Sequence, residues 1–94
     1  MRHGYEVLAR NWRCPLGEID LVLGAPGVVV FCEVKARARG GFGGPAAAVD
    51  AAKQRRIRRV AAAWLAANRP GAVQLRFDVA ALVGARIEVL QAAF

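Results

Sequence analysis

Three consecutive segments decide the fold of this chain: EIDLVL (residues 18–23), GAPG (24–27) and VVVFCEVK (28–35). The outer two segments consist largely of β-branched and other apolar residues, which is typical of strands. Between them, Pro26-Gly27 suits the central positions of a type II turn. The stretch therefore predicts an antiparallel hairpin whose turn is centred between Pro26 and Gly27.

Strands are also predicted on both sides of this hairpin. Upstream, YEVLARNW (5–12) alternates between two kinds of side chain and ends before the turn residues Pro15 and Gly17. Downstream, strands are predicted over 73–83 and 86–90, separated by Gly84-Ala85.

A helix is predicted between the third and fourth strands. Asp50 is a suitable N-cap, and the helix should run from Ala51 to about Asn68 before Pro70-Gly71. Residues 36–44 are predicted to be a basic, glycine-rich loop and residues 45–49 a short helical turn. The order βββ-α-ββ predicts a single α/β domain over residues 1–94, with a mixed sheet and a flanking helix.

The composition favours a phosphate-rich partner. The chain has 14 Lys and Arg against 7 Asp and Glu, a net charge of +7, and basic groups release counterions when they contact nucleic acid. The alternative is a basic protein from an arginine-rich proteome. One His and two Cys do not form a zinc-site pattern or a disulfide framework. We expect a cytoplasmic protein without a membrane partner, because no apolar run is long enough to span a bilayer and no signal peptide is visible.

The hairpin carries a cluster of ionisable residues. The predicted register places Asp20 opposite Glu33 and Glu18 opposite Lys35, and opposite residues of an antiparallel pair project to the same side. Carboxylates so close together need a cation, a shared proton or water. Oxygen-only ligands suit Mg²⁺ or Mn²⁺, and Lys35 could orient a water molecule or stabilise a charged phosphate. The alternative is a face with ordinary cross-strand ion pairs.

GEIDLV, FCEVKAR, GGPAAAV and KQRRI (from residues 17, 31, 43 and 53) together resemble the YraN family of uncharacterised bacterial proteins. That family is similar in fold to restriction endonucleases and Holliday-junction resolvases. The resemblance implies a restriction endonuclease-like fold. It also implies a motif of Asp followed by Glu-x-Lys, which Asp20, Glu33 and Lys35 match as catalytic residues.

The resemblance implies further roles and one departure. Asp20, Glu33 and Glu18 would hold the metal, while Asp78 in RFDV suits a structural hydrogen bond. Family members usually begin with an additional helix that carries a Glu. Here Met1 lies just before the first predicted strand, so the usual N-terminal helix is missing from the predicted order. A sheet face left uncovered in this way would favour a homodimer.

Several residues around the cluster are candidates for nucleic acid contacts. They follow the Glu-x-Lys segment or lie in the first turns of the helix: Arg37, Arg39, Lys53, Gln54, Arg55 and Arg59. Gln54 resembles a helix glutamine of related nucleases, although a solvated residue is the alternative, as it is for the basic helix face. Nothing resembles a base-reading motif, which favours binding without sequence preference.

The leading hypothesis is a metal-dependent endonuclease that hydrolyses DNA phosphodiester bonds, with a preference for branched or damaged DNA. A non-catalytic nucleic acid-binding module with a nuclease fold is the alternative, and a structural subunit of a larger complex is a third reading. Retention of Asp20, Glu33 and Lys35 favours the enzyme, and loss of the N-terminal helix favours the binding module.

Overall fold

The structure is a computed structural model that describes residues 4–37 and 49–94. These residues form five strands and one helix. In chain order the elements are β1 (Glu6–Cys14), β2 (Gly17–Ala25), β3 (Val28–Arg37), α1 (Ala51–Asn68), β4 (Gln74–Val83) and β5 (Arg86–Leu90). The predicted order βββ-α-ββ and the α/β class are therefore confirmed. The predicted glycine-rich loop and helical turn lie mostly outside the described residues.

All five described strands belong to one mixed sheet in which the spatial order follows the chain, β1-β2-β3-β4-β5. β1, β2 and β3 form an antiparallel meander, and β4 and β5 form an antiparallel pair. β3 and β4 are parallel. A parallel pair needs a crossover connection, and α1 lies within this one.

The helix α1 covers one face of the sheet. Asp50 caps it by accepting a hydrogen bond from the backbone N–H of Lys53 at 2.8 Å. Its buried stripe repeats at helical spacing and comprises Ile57, Val60, Ala61 and Trp64. Trp64 meets Phe31 of β3 edge to face, with ring centroids 5.8 Å apart. The core therefore lies between α1 and the central strands.

The alternation of side chains sends neighbouring residues of β3 to opposite faces of the sheet. Phe31 and Glu33 face α1, whereas Cys32 lies beside Asp78 of β4 on the other face. Near the β4–β5 edge, large apolar residues of the sheet are exposed, and Ile87 is 68% exposed. The described residues contain no helix that is long and apolar enough to cross a membrane.

The meander contains two irregularities near β1. The β1–β2 register shifts between Val7 and Ala9, and Asn11 adopts a left-handed backbone with φ 48°. In β2, Ile19 and Val22 both lie in the core, although regular alternation would place residues three apart on opposite faces. The alternation of β2 is therefore broken between these two residues, next to Asp20.

The observed strand ends differ slightly from the predicted ones. β1 continues to Cys14 and β2 begins at Gly17, because these two residues pair across the hairpin. Only Pro15-Leu16 forms the turn, and Gly17 has a φ of 144°. Cross-strand pairing thus extends the strands through residues that local sequence signals assign to a turn.

Candidate functional site

The candidate site lies where β2 and β3 separate. Their ladder has the predicted register and ends at the pair Leu21–Cys32. One residue beyond this pair, the Oδ2 atom of Asp20 accepts a hydrogen bond from the backbone N–H of Val34 at 2.7 Å. This bond brings the Asp20 carboxyl group next to that of Glu33, so the hairpin register assembles the two acids.

Glu33 is buried, with only 6% of its surface exposed. Two lysines contact the same oxygen, Oε2: Nζ of Lys35 lies 3.2 Å away and Nζ of Lys53 lies 2.5 Å away. Burial alone would raise the pKa of Glu33, but the two ammonium groups outweigh it and lower that pKa. Glu33 is therefore held as a carboxylate.

The pKa of Asp20 is shifted in the opposite direction to that of Glu33. Burial raises its pKa, and the neighbouring charges of Glu33 and Glu18 raise it further. The hydrogen bond from Val34 opposes this shift without cancelling it. The two acids therefore titrate as a pair, in which the ionised form of Glu33 disfavours ionisation of Asp20.

Glu18 is not opposite Lys35 in the way the sequence predicted. Its Oε2 atom forms an ion pair with Nε of Arg13 on β1, 3.4 Å away. The reason is that the β2–β3 ladder ends before it reaches Glu18, whereas Arg13 and Glu18 are paired across β1 and β2. Within the described part of the chain, no three Asp, Glu, His or Cys side chains cluster closely enough to hold a metal ion.

The donor set of Asp20 and Glu33 nevertheless fits a hard divalent cation. Mg²⁺ is usually bound through one or two carboxylates, with water and substrate phosphate completing its coordination. The site offers two adjacent carboxylates whose mutual repulsion a cation would relieve. Asp20 and Glu33 are thus the residues that could hold the metal. Of the two lysines, Lys53 is the nearer to Glu33 Oε2, so a metal at this oxygen would have to displace its ammonium group.

The nucleic acid candidates lie in different surroundings. Arg55 and Arg59 are exposed on α1, one turn apart. Gln54 donates a hydrogen bond from Nε2 to the carbonyl of Val49 at 3.1 Å, so it is tied to the start of the helix and is not fully solvated. Arg37 ends β3, and nothing is described of its side chain; Arg39 lies outside the described residues.

Lys53 occupies a place that the sequence did not indicate. It was a candidate for contact with nucleic acid, but its ammonium group is ion-paired with Glu33. The N-cap at Asp50 fixes Lys53 in the first turn of α1, and the packing of α1 on the sheet brings that turn to β3. A contact between a helix and a strand depends on tertiary packing, and periodicity within either element does not reveal it.

The chain matches the profile of Uncharacterised protein family UPF0102 over residues 1–82. It is 52% identical over 86 residues to a UPF0102 protein of Mycolicibacterium smegmatis, covering 89% of this chain and 67% of the relative. It is 50% identical over 96 residues to a UPF0102 protein of Cupriavidus pinatubonensis, covering 99% of this chain and 73% of the relative. A UPF0102 protein of Halorhodospira halophila is 46% identical over 91 residues, which cover 97% of this chain and 73% of the relative. The chain belongs to the UPF0102 family.

Proposed function

We propose that this chain is a Mg²⁺- or Mn²⁺-dependent endonuclease with a restriction endonuclease-like fold that hydrolyses DNA phosphodiester bonds. The observation that carries this proposal is the contact between Asp20 and Glu33 where β2 and β3 separate, with Nζ of Lys35 3.2 Å from Glu33 Oε2. In one half-buried site, two acids can bind a metal ion and a lysine can stabilise a charged phosphate, which supports metal-assisted hydrolysis. The net charge of +7 favours a polyanionic substrate.

Each of the three residues has a distinct part in this proposal. Asp20 and Glu33 bind the metal, which when present would polarise the phosphate and lower the pKa of a bound water molecule. Lys35 stays beside Glu33 because both residues lie on β3, two positions apart. Its ammonium group is therefore available to orient the attacking water or to stabilise the negative charge that develops on the phosphate.

The proposal is tested by cleavage of plasmid, branched and damaged DNA with Mg²⁺ or Mn²⁺. Asp20→Asn, Glu33→Gln and Lys35→Ala should each reduce the cleavage rate by about a hundredfold or more, because each removes charge from the reacting centre. Glu88→Gln is the matched control. Glu88 is also an acid on a strand, but it is ion-paired with Arg86 on β5, and its variant should cleave like the parent.

Two outcomes would contradict the proposed chemistry. Cleavage that continues after metal removal with EDTA would exclude a metal-dependent reaction. Cleavage by Glu33→Gln at the rate of the parent would show that Glu33 is not a ligand.

A second candidate is a non-catalytic DNA-binding module with a nuclease fold. The observation that favours it is the pairing of Lys53 with Glu33, together with the lack of a three-residue ligand cluster in the described residues. Both candidates use the basic side of α1. The double variant Arg55→Ala, Arg59→Ala should weaken binding equally for all sequences and lower the slope of log K against log salt by about 0.9 for each lost phosphate contact.

The two candidates separate when binding and cleavage are measured on the same preparations. A binding module would lose affinity in the double variant and show no metal-dependent cleavage in the parent. Unchanged affinity and salt slope in the double variant would exclude α1 as the DNA-contacting surface in either case.

A further inference from the structure

Glu33 is surrounded by more positive charge than is needed to neutralise one carboxylate. Both Lys35 and Lys53 contact its Oε2 atom, and Lys53 is the closer of the two. One lysine would neutralise the charge, and a divalent cation at the same oxygen would meet repulsion from both ammonium groups. Either the second lysine blocks the metal or it has another partner once the metal is bound.

Lys53 is the lysine whose partner can change. Lys35 lies two residues from Glu33 on a stretch of β3 that is paired with β4, so the sheet holds its backbone beside the carboxylate. Lys53 reaches Glu33 from another element, the first turn of α1. Its side chain is 23% exposed, close to the 29% of Lys35, so the two lysines differ in the element that carries them and not in their access to solvent.

The position of Lys53 in α1 also makes a negatively charged partner favourable for its ammonium group. The first turn of a helix is its positive end, where a cation is disfavoured. The first turn of α1 contains no acidic residue, and the N-cap carboxylate of Asp50 is already bonded to the backbone N–H of Lys53. Arg56, on the same turn of the helix, opposes the charge of Lys53 as well. When Glu33 is neutralised by a metal, a phosphate is the negative group that a DNA substrate would bring to this place.

We propose that Lys53 exchanges partners: it neutralises Glu33 in the metal-free protein, a divalent metal displaces it, and its ammonium group then binds a phosphate of the DNA. This inference rests on the proposed function, because it assumes that Glu33 is a metal ligand. It makes Lys53 a substrate-binding residue whose contribution depends on the metal. It also gives the site a resident cation that stabilises Glu33 when no metal is present.

The first measurement is Mn²⁺ binding to the full chain by calorimetry, without DNA. Lys53→Met keeps the length of the side chain and removes its charge, so the Kd for Mn²⁺ should fall about five- to tenfold. Arg55→Met is the matched control, since Arg55 is an exposed cation two residues away on the same helix. It should change the Kd less than twofold, and Lys53→Arg, which keeps the charge, should resemble the parent.

The second measurement is DNA affinity with and without Ca²⁺, a divalent ion that takes oxygen ligands. With Ca²⁺, Lys53→Met should weaken DNA binding several-fold, because the released ammonium group is missing. Without Ca²⁺ it should have little effect, because Lys53 is then paired with Glu33. Arg55→Met should weaken binding by the same factor in both conditions.

The outcomes distinguish this inference from the proposed function. If Mn²⁺ binds the parent but Lys53→Met and Arg55→Met have the same Kd, the partner exchange is overturned and the metal site stands. If Lys53→Met weakens DNA binding equally with and without Ca²⁺, the exchange is overturned as well. If no Mn²⁺ binds to the parent, Lys53→Met or Lys53→Arg, all of them folded, both proposals fail together.

Discussion

Asp78 and Glu33 are the two buried acids of the described chain, and they lie on adjacent strands on opposite faces of the sheet. The carboxylate of Asp78 accepts hydrogen bonds from two nitrogens of the Arg76 guanidinium group, Nε and Nη2, each at 2.9 Å. It also accepts the backbone N–H of Ala92 at 3.0 Å. Glu33 is held instead by two separate ammonium groups on a single oxygen and lies beside a second acid, Asp20.

The difference distinguishes an acid that stabilises the fold from one that is available for chemistry. The planar fork of Arg matches a carboxylate in one geometry, whereas the Lys ammonium is a point charge on a flexible stem. Arg76 is further fixed by a hydrogen bond to the hydroxyl of Tyr5 at 3.1 Å. Asp78 therefore joins β4 to the two ends of the described chain. Glu33 has partners that can leave, and its neighbour Asp20 repels it.

The largest expected effect on stability belongs to Asp78. Asp78→Ala should lower the free energy of unfolding by about 3 kcal/mol, because it leaves the guanidinium group of Arg76 and the N–H of Ala92 without their acceptor. Urea denaturation followed by circular dichroism would measure this. Asp78→Asn, which keeps one acceptor oxygen, should lose less. If the parent and Asp78→Ala were equally stable, Asp78 would not be an acid that stabilises the fold.

Glu33→Gln should have a smaller effect in the same measurement. We expect a loss of about 1 kcal/mol, because both lysines that lose their partner are partly exposed and can be solvated. The loss should shrink as the pH falls, since the lowered pKa of Glu33 makes a stabilising contribution that disappears in acid. A loss as large as that of Asp78→Ala would mean that Glu33 is a structural acid, and the comparison would fail.

Asp20→Asn should change stability in the opposite direction. The pKa of Asp20 is raised in the folded protein, so its protonated form favours folding and its ionisation at neutral pH costs stability. Asn keeps an oxygen that can accept the Val34 N–H and carries no charge. Without metal, the variant should have a Tm a few degrees above that of the parent at about pH 7, and the difference should narrow towards about pH 4.

A lower Tm for Asp20→Asn at neutral pH would count against this interpretation. It would mean that the carboxylate of Asp20 stabilises the metal-free fold, in conflict with the repulsion from Glu33. A higher Tm for Asp20→Asn would mean that the Asp20 carboxylate lowers the stability of the metal-free protein. Residues that serve chemistry are seldom those that maximise stability.

Local sequence signals predicted most of the fold. The turn at Pro26-Gly27 set the β2–β3 register, and Asp50 with Pro70-Gly71 set the bounds of α1 to the residue. The structural hydrogen bonds expected of Asp78 are confirmed. The register and the helix bounds share a cause, because each depends on residues that are close in sequence or directly paired across a hairpin. The expectation for Asp78 came from the family resemblance.

The parts that the sequence missed depend on tertiary geometry. The β2–β3 ladder ends before Glu18, which instead pairs with Arg13 across β1 and β2, whereas the predicted register assumes that the ladder continues. The contact of Lys53 with Glu33 requires the packing of α1 on the sheet. Both misses lie at the candidate site, where the backbone departs from regular geometry.

The sheet order has a consequence for the path by which the chain folds. β1, β2 and β3 pair with their neighbours in sequence, so this meander has a low contact order and can form early, whereas β3 and β4 pair only after the chain has crossed over through α1. Asp20 and Glu33 therefore meet in the early meander with Lys35 as their local counter-charge, and Lys53 arrives with the docking of α1. We expect the transition state for folding to carry a repulsion between Asp20 and Glu33 that Lys53 offsets only in part in the finished protein, so the refolding rate should depend on ionic strength more steeply than the unfolding rate does.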